Sequence, residues 1–410
     1  MKKIVLVTTG QPSTNPRIVK EADALHKAGY EVIVLYCFFI DWAEDADKVL
    51  LQKVAWKYRM AGGGPDNKKA VYLFTRTRNK IARILNRYFG NALLLAERTQ
   101  ARAYDELLME AKKIKADWYI GHNLGALPVV VKAARFHQAK AGFDFEDYHR
   151  GENTPNEKGI VKRIVYLENK YLPHLHYFST ASPMITGATK NNHPGFKGAG
   201  ITLLNCFPLA QQPPFKEKVP GDDRLQLFWF SQTIGLNRGL EVLINALKIL
   251  NDPAIHLTLA GRCNEDMVQY IKNNAGALIK NIHFAGIIQP AELPAFAAQF
   301  DVGMAIELTV PENRNICLTN KIFTYLLAGN AIILSETAMQ KIFNETYEIG
   351  GTFPVNNREI LAQEIHAFKN GETLIQRKLK NYKLAKGILN WEKESEKFIL
   401  LLNSFNSSGC

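Results

Sequence analysis

The stretch from Asp301 to Glu336, DVGMAIELTVPENRNICLTNKIFTYLLAGNAIILSE, restricts the possible folds of this chain more than any other. Asp301 to Leu308 reads as a buried strand and Thr309 to Thr319 as a polar loop; within Lys321 to Ala328 the apolar residues Ile322, Phe323, Leu326 and Leu327 fall at helical spacing. Gly329 stops that helix, and Asn330 turns the chain into a second strand, Ala331 to Leu334. Strand, loop, helix and parallel strand form one right-handed unit, which commits the chain to the α/β class. The chemistry sits at the helix start. Thr319 or Asn320 can cap it, its first backbone N–H groups have no helical partner, and Lys321 adds a full positive charge to the partial charge of the dipole. Such an end suits a phosphate or diphosphate; a helix start that merely faces the sheet edge, with its lysine in water, is the other reading.

With 410 residues, 47% hydrophobic and 22% charged, the chain can build two cores of ordinary size, so two domains are expected. No run approaches ~20 uninterrupted apolar residues, so no membrane span is expected. The opening MKKIVLVTTG is too soon interrupted by Gly10, Gln11 and Pro12 to be a leader and reads as a first strand. Cys37, Cys206, Cys263, Cys317 and Cys410 are odd in number, widely spaced and without a CxxC pair, which suggests neither a disulfide framework nor a zinc site and fits a reducing cytoplasm. A net charge of +12 favours an anionic partner, such as a phosphorylated substrate or anionic lipid. No nucleic-acid-binding motif is present, so a nucleic-acid partner is not expected.

In chain order, Lys3 to Thr8 is a strand, Thr9 to Pro16 a turn-rich loop, Arg17 to Ala28 an amphipathic helix and Tyr30 to Tyr36 a second strand, the opening of a Rossmann-like sheet. The loop has no GxGxxG, which disfavours a dinucleotide cofactor. Arg17 on its own reads equally as a surface helix residue. DWYIGH, from Asp117 to His122, is a strand ending in a polar loop. Gly142 to Phe145 is another, running into Glu146, Asp147, Tyr148, His149 and Arg150. Polar groups at the carboxyl ends of parallel strands stand where open α/β sheets bind ligands. Proline-rich Phe207 to Asp223, with Pro208, Pro213, Pro214 and Pro220, reads as a linker. A second αβ series starts at Leu225, with Leu225 to Phe230 a strand that leads through Ser231 and Gln232 to Arg238, Gly239 and a helix from Leu240 to Leu250. Gly261, Arg262 and Gly286 end further strands, and an apolar helix from Trp391 closes the chain.

Arg76, Lys80, Arg83 and Arg87 step by four, three and four along one helical face, while Ile81, Ile84, Leu85 and Tyr88 fall on another. Two readings stand side by side: an interfacial helix on an anionic membrane, or a surface helix whose apolar face packs on its own domain. Amphipathic spacing is the same in both, because an apolar stripe suits a protein core and a lipid headgroup layer alike.

Taken together, two Rossmann-like halves, a linker and a terminal helix resemble the GT-B glycosyltransferases, most closely the family 4 type, over nearly the whole chain. TNPRIVKEADALHKAGYEVIVL is similar to the first unit of members with a "PR" turn, SQTIGLNRGLEVLINAL to their "GRL…KG" loop, and NKIFTYLLAGNAIIL to their "NKLFEYLAAGKPVI" helix. The resemblance implies residues 1–206 as acceptor domain, 207–385 as nucleotide-sugar donor domain, and 386–410 as a helix crossing back to the first. It implies retaining transfer from a UDP- or GDP-linked sugar to a glycan or lipid-linked acceptor in cell-surface polysaccharide synthesis. The protein would work in the cytoplasm, and on the interfacial reading of the basic helix it would be peripheral on the inner face of the membrane. No cofactor and no DxD-bound metal are implied.

Arg238 and Lys321 would lie at the diphosphate, aided by the amides of Thr319 and Asn320, with His122 near the transferred sugar and Gly10 in the loop approaching the phosphates. Asn15, Arg17, Asp147, His149 and Arg150 would line the acceptor side, the last standing where the family's "D.HE" element has glutamate. Gln232, Gly261, Arg262 and Gly286 belong to the donor side. Two departures stand out: the E-x7-E pattern is absent, its positions falling at Ile316 and Thr324, and Gln232 replaces the arginine of "GRL". Thr324 is left to meet the ribose, and Glu307 or Asn315 to replace the sugar contact. A non-catalytic member binding a glycan or partner, and a sugar-nucleotide epimerase, are the alternatives.

Overall fold

The structure is a computed structural model that describes residues 1–153, 157–218 and 223–407. Pro220 of the expected linker and Cys410 lie outside the described residues. The chain divides into two compact units, Met1–Leu203 with Lys397–Cys410, and Leu204–Glu396.

The first unit is built on a seven-stranded sheet in the order β3-β2-β1-β4-β5-β6-β7. Its strands are β1 (Lys3–Thr8), β2 (Glu31–Cys37), β3 (Lys57–Ala61), β4 (Trp118–His122), β5 (Lys140–Asp144), β6 (Tyr177–Thr180) and β7 (Ala199–Thr202). All are parallel, and apolar clusters cover both faces, which accounts for continuous apolar runs such as IVLV in β1 and VIVL in β2. Phe398 and Leu402 of the last helix, Trp391–Ser407, fill the second of those clusters, between Ile4, Leu6 and Trp118.

The second unit has a six-stranded parallel sheet in the order β10-β9-β8-β11-β12-β13. Its strands are β8 (Leu225–Thr233), β9 (Ile255–Arg262), β10 (Ile282–Gly286), β11 (Val302–Ala305), β12 (Ala331–Ser335) and β13 (Gly350–Phe353). The unit read from Asp301 to Glu336 is present. The helix runs Asn320–Ala328, Gly329 closes it at φ +75°, and β12 pairs with β11 in parallel register, Val302 opposite Ala331. β11 is shorter than the expected strand, and the loop after it contains a one-turn helix, Glu312–Ile316, started by Pro311. Gly303 in β11 shows why this strand needs a glycine: a Cβ there would stand 2.2 Å from the ring of Tyr325, whose hydroxyl donates to the carbonyl of Phe228 at 3.0 Å.

In each sheet the strand order reverses once, between β1 and β4 in the first and between β8 and β11 in the second. Open α/β sheets bind ligands beyond the carboxyl ends of the strands at such a reversal.

Candidate functional site

In the second unit, the loops leaving β8 and β11 flank the reversal, and both carry the basic residues singled out in the sequence. Gly239, at φ +82°, lies so close to Ile306 that a Cβ would come within 2.2 Å of its Cγ2. Its neighbour Arg238, half-buried, donates to Ser231 Oγ at 3.0 Å. One residue beyond Ile306, Glu307 Oε1 stands 2.5 Å from Lys321 Nζ, and the same ammonium lies 5.4 Å from the centre of the Trp229 ring. The loop that carries Arg238 thus meets the segment Ile306 to Glu307 through Gly239, and Lys321 meets it through Glu307. The sequence left the charge of Lys321 free; in the structure Glu307 compensates it, and the backbone N–H of Glu307 is itself held by Ser335 Oγ at 2.8 Å.

Thr319 occupies the cap position of the Asn320–Ala328 helix in extended backbone, but its hydroxyl accepts no cap hydrogen bond. Asn320 accepts from Asn205 Nδ2 at 2.9 Å through its side chain. The helix start therefore keeps its outward N–H donors and its dipole. Gly261, at φ +139°, is pressed against Ser231, whose carbonyl would lie 2.1 Å from an added Cβ, so a side chain here would break the β8–β9 edge. Gln232 is exposed near the carboxyl end of β8, where the register slips between Phe230 and Thr233, and Gly286 ends β10 at φ +71°.

Two expected donor contacts have other duties. Asn315 accepts from Ala338 N at 2.9 Å, at the start of the Ala338–Tyr347 helix. Thr324 is fully buried in the helix core, its hydroxyl without a hydrogen-bond partner, so in this conformation it presents no surface to a ribose. Sequence reading missed an open pocket of about 540 Å³ at the ends of β8 and β9, lined by Thr233, Leu236, Arg262, Asp266 and Tyr270 among others. That volume falls within the roughly 300–1,000 Å³ of small-molecule sites. Only Arg262 had been singled out, because Asp266 and Tyr270 belong to a helix that looks like any amphipathic surface helix.

In the first unit the register sets Thr8, His122, Asp144 and Ser179 in one row across β1, β4, β5 and β6. Thr8 Oγ1 donates to Asn123 Oδ1 at 2.6 Å, joining the loops after β1 and β4 beside Gly10, whose N–H donates to Thr8 Oγ1 at 3.2 Å. Arg17 corrects the surface reading: it is fully buried and grips Asp144 through Nε (2.5 Å) and a terminal nitrogen (3.0 Å), and it donates to the carbonyl of Leu203 at 2.9 Å. Asn15 caps its helix by accepting from Ile18 N at 3.2 Å. His122 Nε2 stands 3.1 Å from Glu21 Oε2, and its Nδ1 3.6 Å from Asp144 Oδ2. Expected near the sugar, its ring is buried and faces these carboxylates.

Arg17, Glu21, His122 and Asp144 form a buried quartet of two bases and two acids. Burial opposes each charge, but for Arg17 the fields of Asp144 and Glu21 prevail and raise its pKa further. Burial likewise disfavours Asp144 ionisation, yet Arg17 and His122 hold its carboxyl below the usual range, and Glu21 lifts His122 above its ordinary value against burial. A histidine raised in the fold contributes stability below its unfolded pKa of about 6.5, which is lost as pH rises through the folded value. The first unit's melting temperature should therefore fall as pH is raised above about 6.5, and His122→Asn should flatten that fall. An unchanged pH slope in His122→Asn would show that the imidazole is neutral in the fold. The carboxyl of Glu146, in left-handed backbone at φ +47° just beyond β5, is also raised, by burial and the charge of Asp147; the sequence placed it at a strand's carboxyl end without giving it a role.

The remaining acceptor-side candidates do not join this row. His149 is buried against Phe143 and Phe145, and Arg150 is tied to Glu168, to Asn169 Oδ1 at 2.9 Å and to His193 Nε2 at 2.9 Å. Asp147 is half-buried in the loop between them and β5.

No family model matches the chain, and no curated protein matches it in sequence. Solved structures do. It is similar to HepE from Anabaena, crystallised with UDP and glucose, at 14% identity and TM-score 0.69 over 98% of this chain and 100% of that one. The sucrose-phosphate synthase of Thermosynechococcus elongatus aligns at 12% identity and TM-score 0.71 over the whole of both chains. A trehalose-6-phosphate synthase, studied for glycosyl transfer with retention, aligns at 13% identity and TM-score 0.65 over 98% and 99%. The fold is accordingly that of the GT-B glycosyltransferases, with two parallel Rossmann-like units in series, as the sequence led us to expect.

Proposed function

We propose that the chain is a cytoplasmic glycosyltransferase, family 4-like, moving a hexosyl group with retention from a nucleoside-diphosphate sugar to a glycan or lipid-linked acceptor. The observation that carries this reading is that the loop bearing Arg238 and the ion pair of Lys321 with Glu307 meet at the Ile306 to Glu307 segment, at the strand-order reversal of the second sheet. A diphosphate placed there meets two cations and a helix N-terminus, which together neutralise the charge that develops on the leaving phosphate as the anomeric bond breaks. Lys321 would exchange Glu307 for phosphate, leaving that carboxylate beside the sugar. In this reading these groups supply the charge without a resident metal. The complexes of HepE with UDP and UDP-glucose favour uridine among the possible bases. Cell-surface polysaccharide synthesis is the role that fits such an acceptor.

One observation favours a second reading, a non-catalytic protein of this fold: the ribose position carries a buried Thr324, and the loop position of the family arginine an exposed Gln232. Hydrolysis of UDP-glucose separates the two, since water serves as acceptor. The purified chain should release UDP, insensitive to EDTA, and the first-formed glucose should be the α-anomer by proton NMR. A β-anomer would mean inversion, and UDP binding without release from several UDP- and GDP-sugars would favour the non-catalytic reading. Conversion of the donor to its epimer would point to the epimerase.

A further inference from the structure

The helix Lys69–Phe89 is amphipathic the wrong way round for a helix packed on its own domain. Three rows divide its surface, two stepping by three and four residues and the third by seven. Thr75, Asn79 and Ala82 face the protein: all three are buried, and Asn79 Nδ2 donates to the carbonyls of Arg98 (2.5 Å) and Thr99 (3.3 Å). Arg76, Lys80, Arg83 and Arg87 form the second row, exposed and, among the described residues, paired with no carboxylate. The third row is apolar and faces solvent, with Phe74 60% exposed, Ile81 51% and Tyr88 78%, and Ile84 and Phe89 exposed beside it. Just beyond the helix, Leu93 stands 85% exposed in left-handed backbone. Burial of the small polar row rather than the apolar one answers the question left open by the sequence: the apolar face is not used for the unit's own core.

We infer that this face docks on an anionic lipid surface, with Phe74, Ile81, Ile84, Tyr88 and Phe89 entering the headgroup boundary and Arg76, Lys80, Arg83 and Arg87 meeting lipid phosphates. The occupant follows from charge. The helix carries Lys69, Arg76, Arg78, Lys80, Arg83 and Arg87 and no acidic residue, in a chain of net charge +12. Among the described residues only Arg78 of these is neutralised locally, by Glu106 and Asp105. A second copy would set one cationic row against another, whereas an anionic bilayer supplies both the countercharge and an apolar phase of the right depth. Tyr88, with an apolar body and a polar tip, suits the boundary itself. The β2 end adds to the same region: Phe38 packs edge-on against Tyr72 at 5.5 Å, and its neighbour Phe39 and nearby Trp42 are exposed. The inference is independent of the transferase reading.

The test is co-sedimentation of the full chain with vesicles of phosphatidylcholine alone and of phosphatidylcholine with phosphatidylglycerol at 7:3. Binding is expected to the mixed vesicles, weakening with salt. Reversing the four cations (Arg76→Glu, Lys80→Glu, Arg83→Glu, Arg87→Glu) should weaken it at least roughly a hundredfold, since each cation contributes about fivefold near such a surface. Ile81→Ser with Tyr88→Ser, which keeps every charge, should also weaken it, and a fluorophore on Ile84→Cys should shift to the blue when vesicles are added. Both multiple variants should keep the melting temperature of the parent, because the altered side chains lie outside the core. Equal sedimentation on both vesicle types, binding untouched by either variant, or a dimer that the Ile81→Ser, Tyr88→Ser chain dissociates would overturn the inference.

Discussion

Replacing Arg17 by leucine is expected to destabilise the first unit by about 3–5 kcal/mol, the usual consequence of stripping one partner from a buried ion pair. Among the described residues Asp144 would keep its charge with only His122 and Ser179 Oγ (2.8 Å) as partners, and the carbonyl of Leu203 would lose a donor. In a unit of this size each kcal/mol is worth roughly 2–4 °C, so the first melting transition should drop by about 6–20 °C while the second unit's stays in place. Adding Asp144→Asn should recover part of the loss, because the cost comes from the orphaned charge rather than from missing packing. A drop no larger than that of an exposed substitution such as Arg358→Leu would mean that Asp144 is protonated or solvated in the fold, and the quartet would lose its standing.

The second large effect belongs to Lys321. Lys321→Met keeps the aliphatic stem over Trp229 and removes the charge, so the substitution reads electrostatics rather than packing. If Lys321 stabilises the departing diphosphate, the rate of UDP release should fall by about 10²–10³, the magnitude seen when one preorganised charge-stabilising donor is lost. Glu307→Gln provides the counterpart. It frees Lys321 from its ion pair, so UDP affinity should stay or rise even where turnover suffers. A Lys321→Met protein with the parent's turnover would exclude this lysine from the leaving-group site.

The two sites differ in how far the sequence revealed them. The Asn320–Ala328 helix, its glycine stop and the strand after it were readable because each signal is local: apolar spacing, a left-handed Gly329 and a short apolar run. The partner of Lys321 was not, since Glu307 is brought to it only when β11 and the helix pack. In the first unit the gap is wider. Arg17, Glu21, His122 and Asp144 come from one helix and two strands far apart in the chain, and only the register that aligns His122 with Thr8 and Asp144 assembles them. Arg17 on its own therefore read as an ordinary surface arginine, and its acceptor-side place came from the family resemblance alone. The basic helix failed to resolve for another reason. Its amphipathicity was visible, but which row faces the protein depends on Asn79 reaching the carbonyls of Arg98 and Thr99, a contact no periodicity records. Thr324 shows the converse, since the loss of glutamate there was plain in the sequence, while the complete burial of its replacement was not.

The most direct measurement is a calorimetric titration of UDP into the parent chain and into Lys321→Met and Arg238→Ala, with GDP and ADP as controls. The predicted result is saturable binding of UDP to the parent, at least tenfold weaker in each variant, with a melting shift that follows mass action, about 2.7 kcal/mol at 100 times the dissociation constant. Binding of equal strength in all three chains would place the anion elsewhere, and no binding of any nucleotide by a folded parent chain would contradict the assignment of the second unit as the donor site.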